Sequence, residues 1–221
     1  AIIKSSRAKK LIAIDFDGTL VTCRNRQMSV LRAVLPGGTK LDHNRFWKLR
    51  RSGSSLAISL EQVGFSPAKA CFVSNAWVQQ IEEPSWLSLD VLFPETLLNL
   101  HRLRSGGCKI RLLSARRYAY WLRQQIQNFG ISGLFDEIVV VDPANAIGEK
   151  AAVLKRWQPA AMIGDTESDG AAARMAHVPF LAVDTGQRDR SFLTANGCCR
   201  CFSSLEHVVD DLLGPSECDE L

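Results

Sequence analysis

The sequence predicts an α/β fold built on a parallel sheet. Two observations carry that prediction. Short apolar runs recur at residues 11–14, 109–113, 137–141, 160–163 and 179–183, each the length of a buried strand. After the first pair, stretches of helical character separate them, at 118–129, 149–157 and 169–176. Strands alternating with helices imply a parallel sheet covered on both faces, with ligands held at the C-terminal strand ends.

The first run stops at Asp15-Phe16-Asp17-Gly18-Thr19. Side chains two apart on a strand share a side, so Asp15 and Asp17 converge where the strand ends. Gly18 lets the chain turn away. Two crowded carboxylates repel unless a cation or a shared proton lies between them. Mg2+ suits such a pair, because it takes hard oxygen ligands and often only one or two carboxylates.

More than 90 residues separate the first two runs, far more than one crossover needs. Most of them read as helix. Asp42 can cap 44–51, Ser54 can cap 56–63, and Ser66 with Pro67 can start 68–83. Ala70, Val73, Ala76, Trp77 and Ile81 repeat at helical spacing. We read residues 22–93 as an inserted helical domain, with 1–21 and 94–221 forming the core. Trp47, Trp77 and Trp86 are expected in the core of the insertion. A helix over 94–104 returns the chain to the sheet.

The later strand ends each carry a polar residue suited to phosphate or a cation. Ser114 follows the second strand, where its hydroxyl and the next backbone amides can meet phosphate oxygens. Gly148-Glu149-Lys150 opens the helix after the third, and Lys150 can reach back as a point charge. Gly164-Asp165-Thr166-Glu167-Ser168-Asp169 follows the fourth, with Asp165 ending a strand and Asp169 starting a helix.

Composition narrows the class. Apolar residues make up 46% and charged residues 23% of the 221, and the net charge is +4. That is ordinary for a globular protein and too weakly basic to imply nucleic acid. Two stretches, 43–60 and 96–135, hold basic but no acidic side chains. Most suit solvated helix faces, and together they favour an anionic substrate. No stretch approaches the roughly 20 apolar residues of a membrane span. Lys4, Arg7, Lys9 and Lys10 precede an apolar run too short for a signal peptide. Seven scattered cysteines without such a signal point to a reducing, cytoplasmic setting. Cys218-Asp219-Glu220-Leu221 resembles an endoplasmic-reticulum retention signal only loosely. Cys198, Cys199 and Cys201 lack the second ligand pair of a zinc site and read as a cysteine-rich strand.

In order, Asp15-x-Asp17-Gly18-Thr19, Ser114, Lys150 and Gly164-Asp165-x-x-x-Asp169 resemble the four motifs of the haloacid dehalogenase superfamily. Residues 183–188 are similar to a loop of its phosphoglycolate-phosphatase-like members. The resemblance implies a Rossmann-like sheet of strand order 5-4-1-2-3 and makes the insertion a C1-type cap. It implies Asp15 as nucleophile forming an aspartyl-phosphate, and Asp17 as acid/base whose carboxyl must be protonated for the first step. Gly18, Thr19, Ser114 and Lys150 fall on the substrate side, and Asp15, Asp17, Asp165 and Asp169 around Mg2+. Dehalogenases lack an aspartate at the position of Asp17, so its presence favours phosphoryl transfer.

Substrate choice is expected to rest on the cap and on Arg24, Arg116 and Arg117. The expected activity is hydrolysis of a small phosphorylated metabolite by a monomer or homodimer, with no nucleic-acid or membrane partner. A phosphomutase of the beta-phosphoglucomutase type shares all four motifs. A non-catalytic binding or regulatory member usually loses one of them, and here each is present.

Overall fold

The computed structural model describes residues 10–214. The basic residues at 4, 7 and 9 and the Cys218–Leu221 end lie outside them. The chain begins with β1 (Leu11–Ile14) and β2 (Val21–Thr22). Five helices follow: α1 (Arg24–Val34), α2 (His43–Arg51), α3 (Leu56–Gln62), α4 (Pro67–Gln80) and α5 (Pro84–Leu87). Next come β3 (Val91–Leu92), α6 (Thr96–Ser105), β4 (Lys109–Ala115), α7 (Ala119–Asn128), β5 (Glu137–Val141) and α8 (Ala146–Trp157). The chain closes with β6 (Ala161–Gly164), α9 (Glu167–Met175), β7 (Phe180–Val183), α10 (Arg190–Ala195), β8 (Cys201–Phe202) and α11 (Leu205–Leu213).

Six strands form one parallel sheet in the order β5-β4-β1-β6-β7-β8. The five anticipated strands lie in the anticipated order. β8, which carries Cys201, extends the sheet by one short edge strand. Alternation along β1 divides the core. Ile12 and Ile14 join a cluster with Leu100, Leu103 and Val208 of α6 and α11. Ala13 faces Leu154 and Ala172 of α8 and α9. Phe16 continues the Ile12–Ile14 side, so Asp15 belongs with Ala13, toward α8 and α9.

α1 to α4 have an apolar centre of their own, with Leu31, Phe46, Leu60 and Val73 among its buried residues. Trp47 and Trp77 pack against this cluster, and Trp86 lies outside it, half-buried. β2 and β3, on either side of these helices, pair antiparallel. The chain therefore leaves and re-enters the core at adjacent points.

The caps explain small differences from the sequence reading. Asp42 and Ser66 accept from Arg45 and Lys69 as expected, but Ser55 rather than Ser54 starts α3, accepting from Ile58. α4 stops at Gln80, and Pro84 begins a separate short helix. Thr166 and Asp169 form a capping box that starts α9 two residues before Asp169. Among the described residues no helix is long and apolar enough to cross a membrane.

Candidate active site

A cleft of about 510 Å³ opens at the C-terminal ends of β1, β4 and β6, beneath the helical segment. Asp15 leaves β1 with its N–H on the Ile163 carbonyl at 2.9 Å, which fixes it beside β6. Lys150, in the second turn of α8, donates to Asp15 Oδ1 at 2.8 Å and to Asp169 Oδ1 at 2.6 Å. The other Asp169 oxygen accepts from the Thr166 hydroxyl at 2.6 Å. Asp165 accepts from the Gln187 N–H at 2.6 Å. Ser114 is buried on β4 and lines the same cleft.

Two glycines make room for the Asp165 carboxylate. A Cβ on Gly18 or on Gly186 would overlap its carboxylate, and Gly18 has φ +77°. Both positions therefore need glycine. Thr19, buried behind Asp165, has its hydroxyl 3.5 Å from an Asp165 oxygen.

Asp15, Asp165 and Asp169 each offer an oxygen within 4.8 Å of the others. Three hard-oxygen donors against one lysine leave this corner electron-rich, which fits a divalent cation such as Mg2+. The acidities agree. Burial, with Asp15 and Asp169 adding to it, pushes Asp165 well above the usual carboxylate range. Burial raises Asp15 to about 7 against the pull of Lys150. A cation among them would relieve both.

Asp17 has the opposite surroundings. Arg116 grips it with Nε on Oδ2 at 2.5 Å and Nη2 on Oδ1 at 2.7 Å. Arg26 of α1 adds a bond to Oδ1 at 2.6 Å. Burial alone would raise Asp17, but Arg116 and Arg26 outweigh it and hold the carboxyl below its ordinary value.

Of the residues singled out from sequence, Asp15, Asp17, Ser114, Arg116, Lys150, Asp165 and Asp169 all line the cleft. Gly18 and Thr19 stand behind it and shape the Asp165 pocket. Arg117 lines it beside Glu82. Arg24 does not line it, and its guanidinium lies over the Trp47 ring at 5.5 Å. Trp77 both lines the cleft and donates to the Gln27 carbonyl.

Sequence reasoning missed Arg26, Arg50, Glu82 and Arg188. Arg50 lay within a basic run that suited a solvated face. In the structure it lines the cleft, and among the described residues its guanidinium makes one hydrogen bond, to the Ser54 carbonyl at 2.5 Å. Burial and the neighbouring Arg188 push it down to about 10. Arg188 is paired with Glu167 at 2.7 Å, whereas Arg50 has no carboxylate partner among the described residues, as expected of an anion-binding group.

Residues 9–177 match the family model of the haloacid dehalogenase-like hydrolases. A phosphoglycolate phosphatase of Cereibacter sphaeroides is 34% identical over 107 residues, which cover 46% of this chain. The match spans about half of that relative, 49% of its length. A haloacid dehalogenase-like family hydrolase from Streptococcus pneumoniae superposes with a TM-score of 0.73 at 19% identity, covering 92% of this chain and 98% of its own. A family hydrolase from Deinococcus radiodurans, solved with bound phosphate and sodium, gives 0.67 at 18%, covering 94% and 99%. Family model and fold agree with the motif order read from the sequence, and the chain belongs to the haloacid dehalogenase-like hydrolases.

Proposed function

We propose that this protein is a Mg2+-dependent phosphatase that hydrolyses a small phosphomonoester through an aspartyl-phosphate, with residues 22–93 as its cap. The observation that carries the reading is Lys150 held between Asp15 and Asp169, with Asp165 alongside. It joins a nucleophile, a phosphate contact and a cation corner in one buried place. The carboxylates of Asp15, Asp165 and Asp169 and the backbone carbonyl of Asp17 would hold the ion. When bound, it supplies positive charge against the transferring phosphoryl group.

Lys150 occupies one Asp15 oxygen and orients the other for attack on phosphorus. The Ser114 hydroxyl and the Lys150 ammonium hold the phosphoryl oxygens, where charge builds up. Arg116 and Arg26 hold Asp17 ionised in the free cleft, so the negative charge of the bound substrate has to raise it, and as the ester bond breaks the protonated carboxyl donates to the leaving oxygen. Water then attacks the acyl phosphate, Asp17 takes its proton, and phosphate leaves with Asp15 restored. The cap covers the cleft and excludes bulk water.

Arg50 supports a substrate with a second anionic group, a carboxylate beside the phosphate. Phosphoglycolate, named in the Cereibacter relative, has that chemistry. The same arginine suits the second phosphate of a phosphomutase substrate. Net phosphate release separates the readings, since a mutase exchanges positions with little release.

The test is phosphate release from a panel of phosphomonoesters with and without Mg2+, run beside Asp15→Asn. Release should require Mg2+ and fall at least about a thousandfold in the variant. Wild-type turnover by Asp15→Asn would remove the nucleophile assignment.

A further inference from the structure

Arg26 joins Asp17 to the helical segment. Its side chain is 4% exposed, and its three nitrogens have separate acceptors. Nη2 donates to Asp17 Oδ1 at 2.6 Å, Nε to Asp90 Oδ1 at 3.0 Å and Nη1 to the Ile81 carbonyl at 3.2 Å. Asp17 belongs to the core. Ile81 ends α4, and Asp90 stands just before β3, so these two belong to the segment and its return strand.

Asp90 is itself pinned. Its side chain is fully buried, and its second oxygen accepts from Gln125 Nε2 of α7 at 2.8 Å. Gln125 also donates to the Leu87 carbonyl at 3.1 Å. Arg116, which grips Asp17 from the core side, lies 3.9 Å from Asp90.

We infer that Arg26 is a positioning residue through which the helical segment sets the orientation of Asp17, and that Asp90 anchors Arg26 in that role. The inference rests on the phosphatase reading, in which Asp17 is the acid/base. A guanidinium is a rigid planar fork, so three fixed acceptors leave it one orientation. If the segment shifts relative to the core, at least one of the three bonds must break. Asp17 Oδ1 is shared by Arg26 and Arg116, so without Arg26 the carboxylate is gripped from the core side alone. Asp17 is thus aimed from both sides only while the segment is seated.

Leaving-group dependence tests this. The nitrophenolate of p-nitrophenyl phosphate departs without a proton, whereas the alkoxide of glycerol 2-phosphate needs one. The ratio kcat/KM reports the steps up to that departure. Arg26→Lys keeps the charge, and Asp90→Asn keeps the shape. Each should lower kcat/KM on glycerol 2-phosphate by about tenfold or more and on p-nitrophenyl phosphate by less than about threefold. Thermal melting checks that each variant folds, and if one does not, the other decides.

Equal losses on the two esters would make the network structural only and overturn the inference, as would no loss on either. An unmodified protein that releases phosphate from no member of the phosphomonoester panel, these two esters included, with or without Mg2+, overturns the phosphatase reading and this inference with it.

Discussion

Asp15 and Asp17 are two residues apart and stand in opposite electrostatic surroundings. Asp15 shares its corner with Asp165, Asp169 and one lysine. Asp17 lies between two guanidiniums, with Asp90 as their further counter-charge. Burial acts on both in the same direction, yet Asp15 rises to about 7 and Asp17 falls. Neighbours therefore decide what burial alone would not. One corner invites a cation, and the other fixes a carboxylate in place. Two chemically identical side chains are thereby prepared for different work.

Lys150→Ala breaks that contrast most severely. It removes the ammonium between two buried carboxylates and with it the proposed phosphate contact. Turnover should fall by about a hundredfold or more, and stability by about 3 kcal/mol, read from phosphate release and a denaturant midpoint. Near-normal turnover would place the phosphate contact elsewhere.

Gly186→Ala acts chiefly on the cation corner, because its Cβ would displace the Asp165 carboxylate and press on the Gly18 Cα beside it. The Mg2+ concentration for half-maximal activity should rise roughly tenfold with Arg26 and Arg116 undisturbed. An unchanged Mg2+ requirement would separate Asp165 from the metal.

Arg50→Gln sharpens the contrast from the cap side. KM for a carboxylated phosphoester should rise by about tenfold, with little change for an uncharged ester of similar size. Parallel changes on both would remove the second-anion subsite.

The smallest effect concerns Asp90. Burial, with Asp17 adding to it, raises its pKa from 3.8 to about 6 against the pull of Arg26. Between those values the folded protein keeps a proton that the unfolded chain has lost. The Asp90 contribution to stability therefore declines as pH rises from about 4 to about 6, and it is level above that. Asp90→Asn lacks this slope. Melting curves at pH 4.5 and 6.5 should show the variant gaining on the parent by roughly 2–4 °C at the higher pH. A constant gap would place the Asp90 pKa at its ordinary value.

Much of this arrangement was legible in the sequence, for identifiable reasons. Buried parallel strands are short apolar runs, and their polar ends stand out because the run stops abruptly. Asp15, Ser114 and Asp165 were found that way, Lys150 as a lysine opening the helix after the third strand, and the strand order followed from the family resemblance. α1 was not found, because its N-cap Cys23 makes no side-chain cap and its first turn has no acidic residue. β8 is two residues long, too short for any period to show, and only its neighbouring cysteines marked a strand there. Arg26 and Asp90 are 64 residues apart. No local pattern pairs them, since their meeting depends on how the helical segment folds back. Arg50 looked like its solvated neighbours because exposure, not residue type, distinguishes it.

The β2–β3 pair gives the chain a modular organisation. Everything from α1 to α5 hangs from two neighbouring strands about 4.8 Å apart, and its apolar centre shares no buried residue with the clusters around the sheet. Such a graft point lets one region diversify by insertion, deletion or exchange while the catalytic scaffold keeps its register. Recognition can then evolve on a different schedule from chemistry. Arg26 and Asp90 stand within four residues of that graft point, so an exchanged insert would have to bring or recreate their link to Asp17.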